Sequence, residues 1–207
     1  MRSYWIFFVA SAICVGSFVG FLAFNEIQHN KAVTARVAFE RPLPAFSFTD
    51  HTGGAVSKTS LLGKVWVADF IFTTCPGPCQ KMSSQMREIQ KRLAKNNDVR
   101  FVSFTVNPET DTPKVLAKYA EKFEAGPHWS FLTGGKEELY TLAEKGFLLS
   151  AVDTGDGSGK IEDKFIHDTK FAIVDRTGTI RSYIDGTADD AATKVVAAVE
   201  HYLTVQK

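Results

Sequence analysis

Two cysteines with three residues between them, Cys75 and Cys79, are the side chains in this sequence best suited to chemistry. They lie in the segment TTCPGPCQ, after the apolar run KVWVADFIF (64–72) and at the start of a stretch, 78–93, whose apolar residues recur at helical spacing. This pattern predicts a buried strand, then a turn that carries the cysteines into a helix. Backbone N–H groups at a helix N-terminus favour a thiolate, so the pair is predicted to be reactive.

Two kinds of chemistry are open to such a pair. Thiolates at positions i and i+4 share one face of a helical turn, and with a third soft or borderline ligand they can hold a copper or zinc ion. Copper(I) accepts a low coordination number, whereas zinc normally takes a fourth ligand. Alternatively, Cys75 attacks a disulfide of a partner and Cys79 resolves the mixed disulfide. Pro76 and Pro78 stiffen the intervening loop in both cases.

Length and composition are those of a globular protein with one core of ordinary size. The chain has 207 residues, of which 44% are hydrophobic and 23% are charged. The formal net charge is only +1, and no run of Lys or Arg is flanked by aromatic residues in a way that would follow a phosphate backbone. The sequence therefore gives no support to nucleic-acid binding.

The first segment of the chain is predicted to be a membrane anchor. Residues 4–24 are uncharged and predominantly apolar, which matches the roughly 20 residues that a spanning helix needs. The sequence AFN at 23–25 offers no small-residue cleavage site, so an uncleaved anchor is favoured over a secretory signal. Cys14 within this segment is interpreted as a small hydrophobe. The expected organisation is an anchor at 1–24, a polar linker at 25–42 and a folded domain at 43–207.

Strands and helices alternate through the predicted domain. A hairpin around Gly53 and Gly54 comes first, and the last two strands form a second hairpin around Gly178. The other predicted strands are 64–72, 99–106 and 129–132, and the predicted helices are 78–93, 113–123, 136–147 and 189–203. This order predicts an α/β fold with a mixed sheet covered by helices on both faces.

Four stretches of the chain resemble the Sco/SenC family. They are GKVWVADFIFTTCPGPC (63–79), VNPETDTP (106–113), Trp129 with the following LTG (132–134), and His167 before the strand 171–175. The resemblance covers residues 43–203. It implies a thioredoxin-like fold preceded by a transmembrane helix, and copper bound by Cys75, Cys79 and His167. It also implies a role in assembling the copper site of cytochrome c oxidase.

The function that this resemblance implies is that of a membrane-anchored copper metallochaperone, which needs no catalytic turnover. Its partner would be a copper-accepting subunit of a respiratory oxidase. Because no presequence rich in Arg and Ser precedes the apolar segment, we expect a bacterial inner-membrane protein whose domain faces the periplasm. The alternative is a thiol-disulfide oxidoreductase acting on the cysteines of a periplasmic partner. Thioredoxin-type enzymes usually have two residues between their cysteines and a cis-proline where Thr169 stands here, which favours the metal.

The histidine is the ligand that depends most on the resemblance. His167 lies 88 residues after Cys79, and by itself it would be interpreted as a solvated loop residue. A metal role requires its neutral ring, with Asp168 a candidate hydrogen-bond partner. The acidic segment 153–163 lacks the ligand spacing of a calcium loop and is interpreted as a surface loop.

Several other residues near the motif receive structural interpretations. Met82 and Met86 are predicted to pack in the core rather than bind copper. Asp111, with Thr112 and Pro113, is predicted to cap a helix. The family commonly has Asp where this chain has Gly77, Pro where it has Gln80 and Asp where it has Asn107. These departures spare the three predicted ligands but bear on partner recognition.

Overall fold

An eight-stranded mixed sheet forms the centre of the structure, a computed structural model that describes residues 40–149 and 169–205. The strands are β1 (Arg41–Pro42), β2 (Ser47–Asp50), β3 (Ala55–Ser57), β4 (Val65–Ile71), β5 (Val99–Thr105), β6 (Trp129–Thr133), β7 (Lys170–Val174) and β8 (Thr179–Asp185). Their order across the sheet is β1-β8-β7-β4-β5-β6-β2-β3. The strand that leads to the cysteines, β4, therefore lies in the middle.

Strand β4 has neighbours of both orientations. It pairs in parallel with β5 and antiparallel with β7, and all seven of its residues are buried. A strand covered on both faces has no solvent-facing side, which explains why its sequence is a nearly continuous apolar run rather than an alternating one. The exception to that run is Asp69, which is buried in the core.

Five helices cover the sheet within the described residues. They are α1 (Lys58–Leu61), α2 (Pro78–Arg92), α3 (Pro113–Lys122), α4 (Lys136–Thr141) and α5 (Ala191–Val205). Helices α2 and α3 both begin with proline, whose fixed φ and missing N–H suit the first helical turn. Helix α4 continues into one π-helical turn, Leu142–Gly146, so the predicted helix 136–147 is confirmed with a change of helix type in its second half.

The two faces of the central strands differ in character. Trp66 and Phe70 of β4 belong to an aromatic cluster with Phe104 and Phe147, in which the Phe70 and Phe104 rings stack at 5.1 Å. Asp69 points to the opposite face, where its carboxyl contacts Ser103 of β5. Because successive side chains alternate along a strand, one face of β4 is aromatic while the other contains the buried acid.

The sequence predicts most of this architecture correctly. Both hairpins and the strands and helices around them are confirmed, with ends shifted by one or two residues. The two-residue strand β1 and the single-turn helix α1 are not predicted from sequence. No helix among residues 40–149 and 169–205 is long and apolar enough to cross a membrane. The predicted anchor at 4–24, Cys14 and the acidic segment 153–163 lie outside the described residues.

Candidate metal and redox site

Cys75 and Cys79 lie where the chain leaves β4 and enters α2, as the sequence predicts. Cys75 is in the connecting loop, where its N–H donates to the carbonyl of Phe72, and Cys79 is the second residue of α2. The side chains are reduced thiols and are only 4% and 7% exposed. Pro76, Gly77 and Pro78 between them are exposed. The buried thiols are therefore separated from each other in sequence by an exposed loop.

The two thiols are hydrogen-bonded, and this contact helps to hold the proton on Cys79. The pKa of the Cys79 thiol is raised above its ordinary value by the hydrogen bond to Cys75, by burial and by the nearby negative charge of Asp69, while a backbone hydrogen bond with Phe72 opposes the shift. Cys79 therefore retains its proton at neutral pH, and Cys75 accepts the hydrogen bond. The expectation that the helix N-terminus favours a thiolate is thus wrong for Cys79, because burial and the second sulfur outweigh the helix dipole.

Asp111 holds the beginning of the cysteine loop in place. Its buried carboxylate accepts hydrogen bonds from the Thr73 N–H (3.1 Å) and the Thr73 hydroxyl (2.5 Å), and from the Thr105 hydroxyl of β5 (2.5 Å). The side chain that caps α3 is instead Thr112, which accepts from the Val115 N–H. The prediction of a cap is therefore correct for Thr112, whereas Asp111 connects the loop before α3 to the loop before α2.

Gln80, one of the departures from the family pattern, connects the cysteine loop to α3. Its side-chain amide donates to the Cys75 carbonyl at 3.4 Å, and its side-chain oxygen accepts from Lys122 Nζ at 2.6 Å. A proline at this position could make neither contact. Where the family commonly has a rigid proline, this chain therefore has a glutamine that hydrogen-bonds both to the cysteine loop and to the exposed Lys122.

The start of β7 passes close to the first turns of α2. The antiparallel register pairs Ala172 with Ala68, which places the N-terminal end of β7 beside the C-terminal end of β4. Gly186, just after β8, fixes this approach. A Cβ at Gly186 would lie 2.9 Å from the carbonyl oxygen of Thr169 and 3.1 Å from Cγ of Met82. Only a residue without a side chain allows the chain after β8 to lie this close to both the segment that begins at Thr169 and α2.

Of the remaining residues discussed for the site, the structure describes the two methionines but not His167 or Asp168. Met82 and Met86 are almost fully buried, so the prediction that they belong to the core is confirmed. His167 and Asp168 lie outside the described residues. Within residues 40–149 and 169–205 there is no cluster of three or more His, Cys, Asp or Glu side chains that could hold a metal ion. The described part of the site thus consists of two sulfur donors.

The sequence does not by itself identify Asp69 as a residue with unusual chemistry. Asp69 looks like an irregularity in an apolar run, and its burial among neutral groups becomes visible only in the folded chain. Burial raises the pKa of its carboxyl from the ordinary 3.8 to about 7, although a hydrogen bond from Ser103 acts in the opposite direction. A lone Asp inside a strand of seven buried residues is the signal that could have revealed it, since charged residues are rarely fully buried without a partner.

A thioredoxin-like domain with a reduced dithiol at the start of its first long helix is the class of protein that this fold and site define. A sequence model of the SCO1/SenC family matches residues 37–204, and the chain belongs to this family. It is 37% identical over 164 residues to the SCO1 protein homolog of Bacillus subtilis, an alignment that covers 78% of this chain and 82% of the relative.

Solved structures agree with this assignment. BsSco, described as a member of the Sco family of cytochrome c oxidase assembly proteins with a disulfide switch, superimposes with a TM-score of 0.71 at 33% identity, covering 84% of this chain and 99% of that one. ScoI of Bradyrhizobium japonicum with copper bound superimposes with a TM-score of 0.63 at 26% identity, covering 78% and 99% of the two chains. This chain therefore has the mixed α/β, thioredoxin-like fold of the Sco proteins.

Proposed function

We propose that this protein is a copper metallochaperone that carries the ion on Cys75, Cys79 and His167 and passes it to a subunit of a respiratory oxidase. The observation that carries the proposal is the pair of reduced, buried thiols in contact at the start of α2. Two soft donors already next to each other suit copper(I), which favours thiolates and few ligands. Membership of a family with a copper-bound member and with members described as oxidase assembly proteins supports the same ion and client.

His167 is the proposed third ligand. It precedes Thr169 by two residues in the sequence, and both the Thr169 carbonyl and the side chain of Met82, one helical turn after Cys79, lie close to Gly186. The chain that follows His167 therefore passes the dithiol helix. An imidazole supplies a borderline donor, which lets the same three ligands tolerate copper(II) as well as copper(I).

A competitive copper(I) titration of the full-length chain in detergent micelles tests this proposal. We expect one tightly bound equivalent, which Cys75→Ser, Cys79→Ser and His167→Ala each weaken. His201→Ala is the matched control, because His201 is exposed on α5 and its ring contacts only the neighbouring Tyr202 among the ring pairs described. Equal affinity of the His167→Ala and His201→Ala proteins would remove His167 from the ligand set. Weak binding by the unmodified chain would overturn the metallochaperone function.

The contact between the two reduced thiols supports a second candidate function, thiol-disulfide exchange. Cys75 would attack a disulfide of a partner as the thiolate, and Cys79 would then attack the mixed disulfide. The partner leaves as a dithiol and Cys75 and Cys79 form a disulfide. Rapid reduction of a cysteine pair in an oxidase subunit, with copper binding that is weak and insensitive to His167→Ala, would favour this function over copper transfer.

We propose further that residues 1–24 anchor the protein in a bacterial inner membrane, with residues 25–42 as linker and the domain 43–207 in the periplasm. The support is the uncharged segment 4–24, whose length matches the hydrocarbon core of a bilayer. A reporter that is active only in the periplasm, fused after residue 207, tests the orientation. Activity of the reporter, and retention of the chain in membranes after an alkaline wash, are expected. Release by the wash would exclude the anchor.

A further inference from the structure

Three lysines form a row along one exposed face of helix α3, and together they are called the lysine row. Lys114, Lys118 and Lys122 recur at every fourth position, so they lie on the same side of successive turns, and all three are exposed. Val115, which is 36% exposed, borders the row on one side. Glu121, the single acidic residue of α3, borders it on the other. The row is therefore a local concentration of positive charge with an apolar side chain at its edge.

No carboxylate among the described residues forms an ion pair with the lysine row. Other lysines near the site do form such pairs, for example Lys81 with Asp189 at 2.9 Å and Lys91 with Glu124 at 3.0 Å. The ion pairs of residues 40–149 and 169–205 include none of the three lysines of the row. Like charges four residues apart on a helix repel one another and disfavour the helical conformation. A row without an internal partner is suited to an external anionic one.

Two contacts hold the lysine row beside the dithiol. Asp111, two residues before α3, accepts hydrogen bonds from the N–H and the hydroxyl of Thr73 at the start of the cysteine loop. Further along, the hydroxyls of Tyr119 of α3 and Ser83 of α2 lie 3.0 Å apart in the core, and Ser83 is one helical turn after Cys79. Helix α3 is thus fixed against the loop and the first turns of α2, and its exposed face belongs to the surface that surrounds the two cysteines.

The last lysine of the row reaches the cysteine loop through Gln80. Lys122 Nζ donates to the Gln80 side-chain oxygen at 2.6 Å, and the Gln80 amide donates to the Cys75 carbonyl at 3.4 Å. Residues 76–78, which follow Cys75, are exposed and include two prolines. Positive charge and an apolar loop therefore lie next to each other at the place where a partner must approach the sulfurs.

We propose that the lysine row, with Val115 and residues 76–78, docks an acidic face of the protein that receives copper from the dithiol. This inference rests on the proposed function. Copper(I) passes between two proteins when ligands of both touch the ion, so the acceptor must meet this chain at the cysteine loop. Carboxylates of the acceptor pair with the lysines, while Val115 and the prolines supply the apolar part that an interface has at its centre. An anionic bilayer would also attract the lysines, but it would cover the loop from which the ion leaves.

Transfer kinetics test the inference. Copper(I) is passed from the loaded full-length chain in detergent to the copper-free, copper-accepting oxidase subunit of the same organism, and the second-order rate is measured by stopped flow. Opposite charges that steer association raise its rate most at low salt. We expect Lys118→Glu to slow transfer on the order of tenfold at low salt, and Glu121→Lys to accelerate it. Both effects should vanish at about 1 M salt, where exposed charges act over only about 3 Å.

Lys95→Glu is the matched control, because it makes the same change of net charge as Lys118→Glu. Lys95 is exposed and follows the C-terminal end of α2, whose 15 residues span about 22 Å from the cysteine end. It should transfer copper at the rate of the unmodified chain, and all three variants should keep the copper(I) affinity of that chain. Equal transfer rates for Lys118→Glu and Lys95→Glu, or rates that do not depend on salt, would overturn the inference and leave the metallochaperone function intact.

Nanodiscs separate an acidic protein from an anionic membrane as the partner of the lysine row. If the lysines held the domain on the bilayer, Lys118→Glu would transfer copper faster than the unmodified chain in discs of anionic phospholipid and at an equal rate in zwitterionic discs. That result would overturn the inference. Slower transfer by Lys118→Glu in both kinds of disc is the result expected for docking of an acidic protein.

A measurement without the oxidase subunit keeps the inference testable if that subunit accepts no copper, a result that would overturn the proposed function. The reduced dithiol is treated with a dianionic disulfide, dithiobis(nitrobenzoate), and with a dicationic one, cystamine, in chains that carry Cys14→Ser. The lysine row should favour the dianion, so the ratio of the two rates should fall several-fold in Lys118→Glu and stay unchanged in Lys95→Glu. An equal ratio in Lys118→Glu and the unmodified chain would show that the row draws no anionic partner to the dithiol, and would overturn the inference.

Discussion

Asp111 and Thr73, 38 residues apart in the chain, are joined by two hydrogen bonds that fix the start of the cysteine loop relative to α3. The Thr73 N–H and hydroxyl both donate to the Asp111 carboxylate, and Cys75 follows Thr73 by two residues. A buried carboxylate that accepts several hydrogen bonds is a strong point of attachment, because each bond is charge-assisted. Asp111 therefore fixes the position of the chain two residues before Cys75.

Asp111→Asn is expected to weaken both the fold and the site. An amide can accept through only one atom, so at least one of the donors on Thr73 and Thr105 loses its partner at a cost of about 1–3 kcal/mol. We expect a lower midpoint of thermal unfolding and a copper(I) affinity reduced on the order of tenfold, since residues that orient ligands typically have effects of this size. Glu109→Gln is the control, because Glu109 lies in the same loop but is exposed and pairs only with Lys136 in the ion pairs described. Equal copper affinity of the two variants would contradict the role of Asp111.

Gly186→Ala is expected to disturb the approach of the Thr169 segment to α2. The new methyl group would lie 2.9 Å from the Thr169 carbonyl, which is closer than a Cβ and a backbone oxygen can approach, so the segment must move. Forced movement of this kind typically costs about 1–3 kcal/mol of unfolding free energy. If His167 is a ligand, copper(I) affinity should fall as well, when measured at a temperature where the variant is folded.

Gly54→Ala provides the comparison for this variant. A Cβ at Gly54 lies at ordinary contact distance, 3.5 Å, from the nearest atom of Asp50, and the residue belongs to the hairpin between β2 and β3. It should leave copper affinity unchanged. Loss of stability without loss of affinity in Gly186→Ala would show that the position of the segment before β7 does not matter to the copper site.

Sequence patterns predict the strand, turn and helix around the cysteines because those signals are local. Prolines mark the beginnings of α2 and α3, and an apolar run marks β4. The roles of Asp69 and Asp111 depend instead on strand order. Asp69 meets Ser103 because β4 and β5 are neighbours, and Asp111 meets Thr73 because the loops that follow these strands are adjacent. Local spacing contains no information on such pairs.

The differences at the ends of elements also have physical causes. Strand β1 has only two residues, and it exists because Arg41 and Pro42 pair with β8, a partner that lies far along the chain. The π-helical turn at Leu142–Gly146 comes where α4 meets the start of the domain, and Leu142, Pro44 and Leu43 surround Gly146 there. Tertiary packing overrides helical periodicity at such a position, so the change from α to π is not visible in the sequence.

Cys75→Ala is expected to make Cys79 more acidic. The hydrogen bond to Cys75 is the largest cause of the raised pKa of Cys79, and an alanine removes it while burial and Asp69 continue to raise the pKa. Alkylation at increasing pH, followed by peptide mass spectrometry to separate Cys79 from Cys14, measures the effect. Cys79 should react at lower pH in the variant than in the unmodified chain. Reaction of Cys79 at the same pH in both proteins would show that the two sulfurs ionise independently.

Asp69 should make the stability of the reduced, copper-free protein fall as pH rises. Burial raises the pKa of its carboxyl from 3.8 to about 7, so between these values the folded chain holds a proton that the unfolded chain has released. Folding stability is therefore favoured at low pH, declines as pH rises from about 4 to about 7, and levels off above that, with a slope of at most about 1.4 kcal/mol per pH unit from this group. Asp69→Asn stays neutral and lacks this contribution.

Chemical denaturation of the full-length chain and of Asp69→Asn at about pH 5 and about pH 8 measures this difference. The unmodified chain should lose roughly 2 to 3 kcal/mol relative to the variant between the two pH values. Asp98→Asn is the control, because Lys64 and Arg176 hold the pKa of the exposed Asp98 carboxyl below its ordinary value, so Asp98 is ionised at both pH values and its replacement should leave the change in stability between them the same as in the unmodified chain. Parallel pH profiles for the unmodified chain and Asp69→Asn would mean that Asp69 does not change its protonation between pH 5 and pH 8.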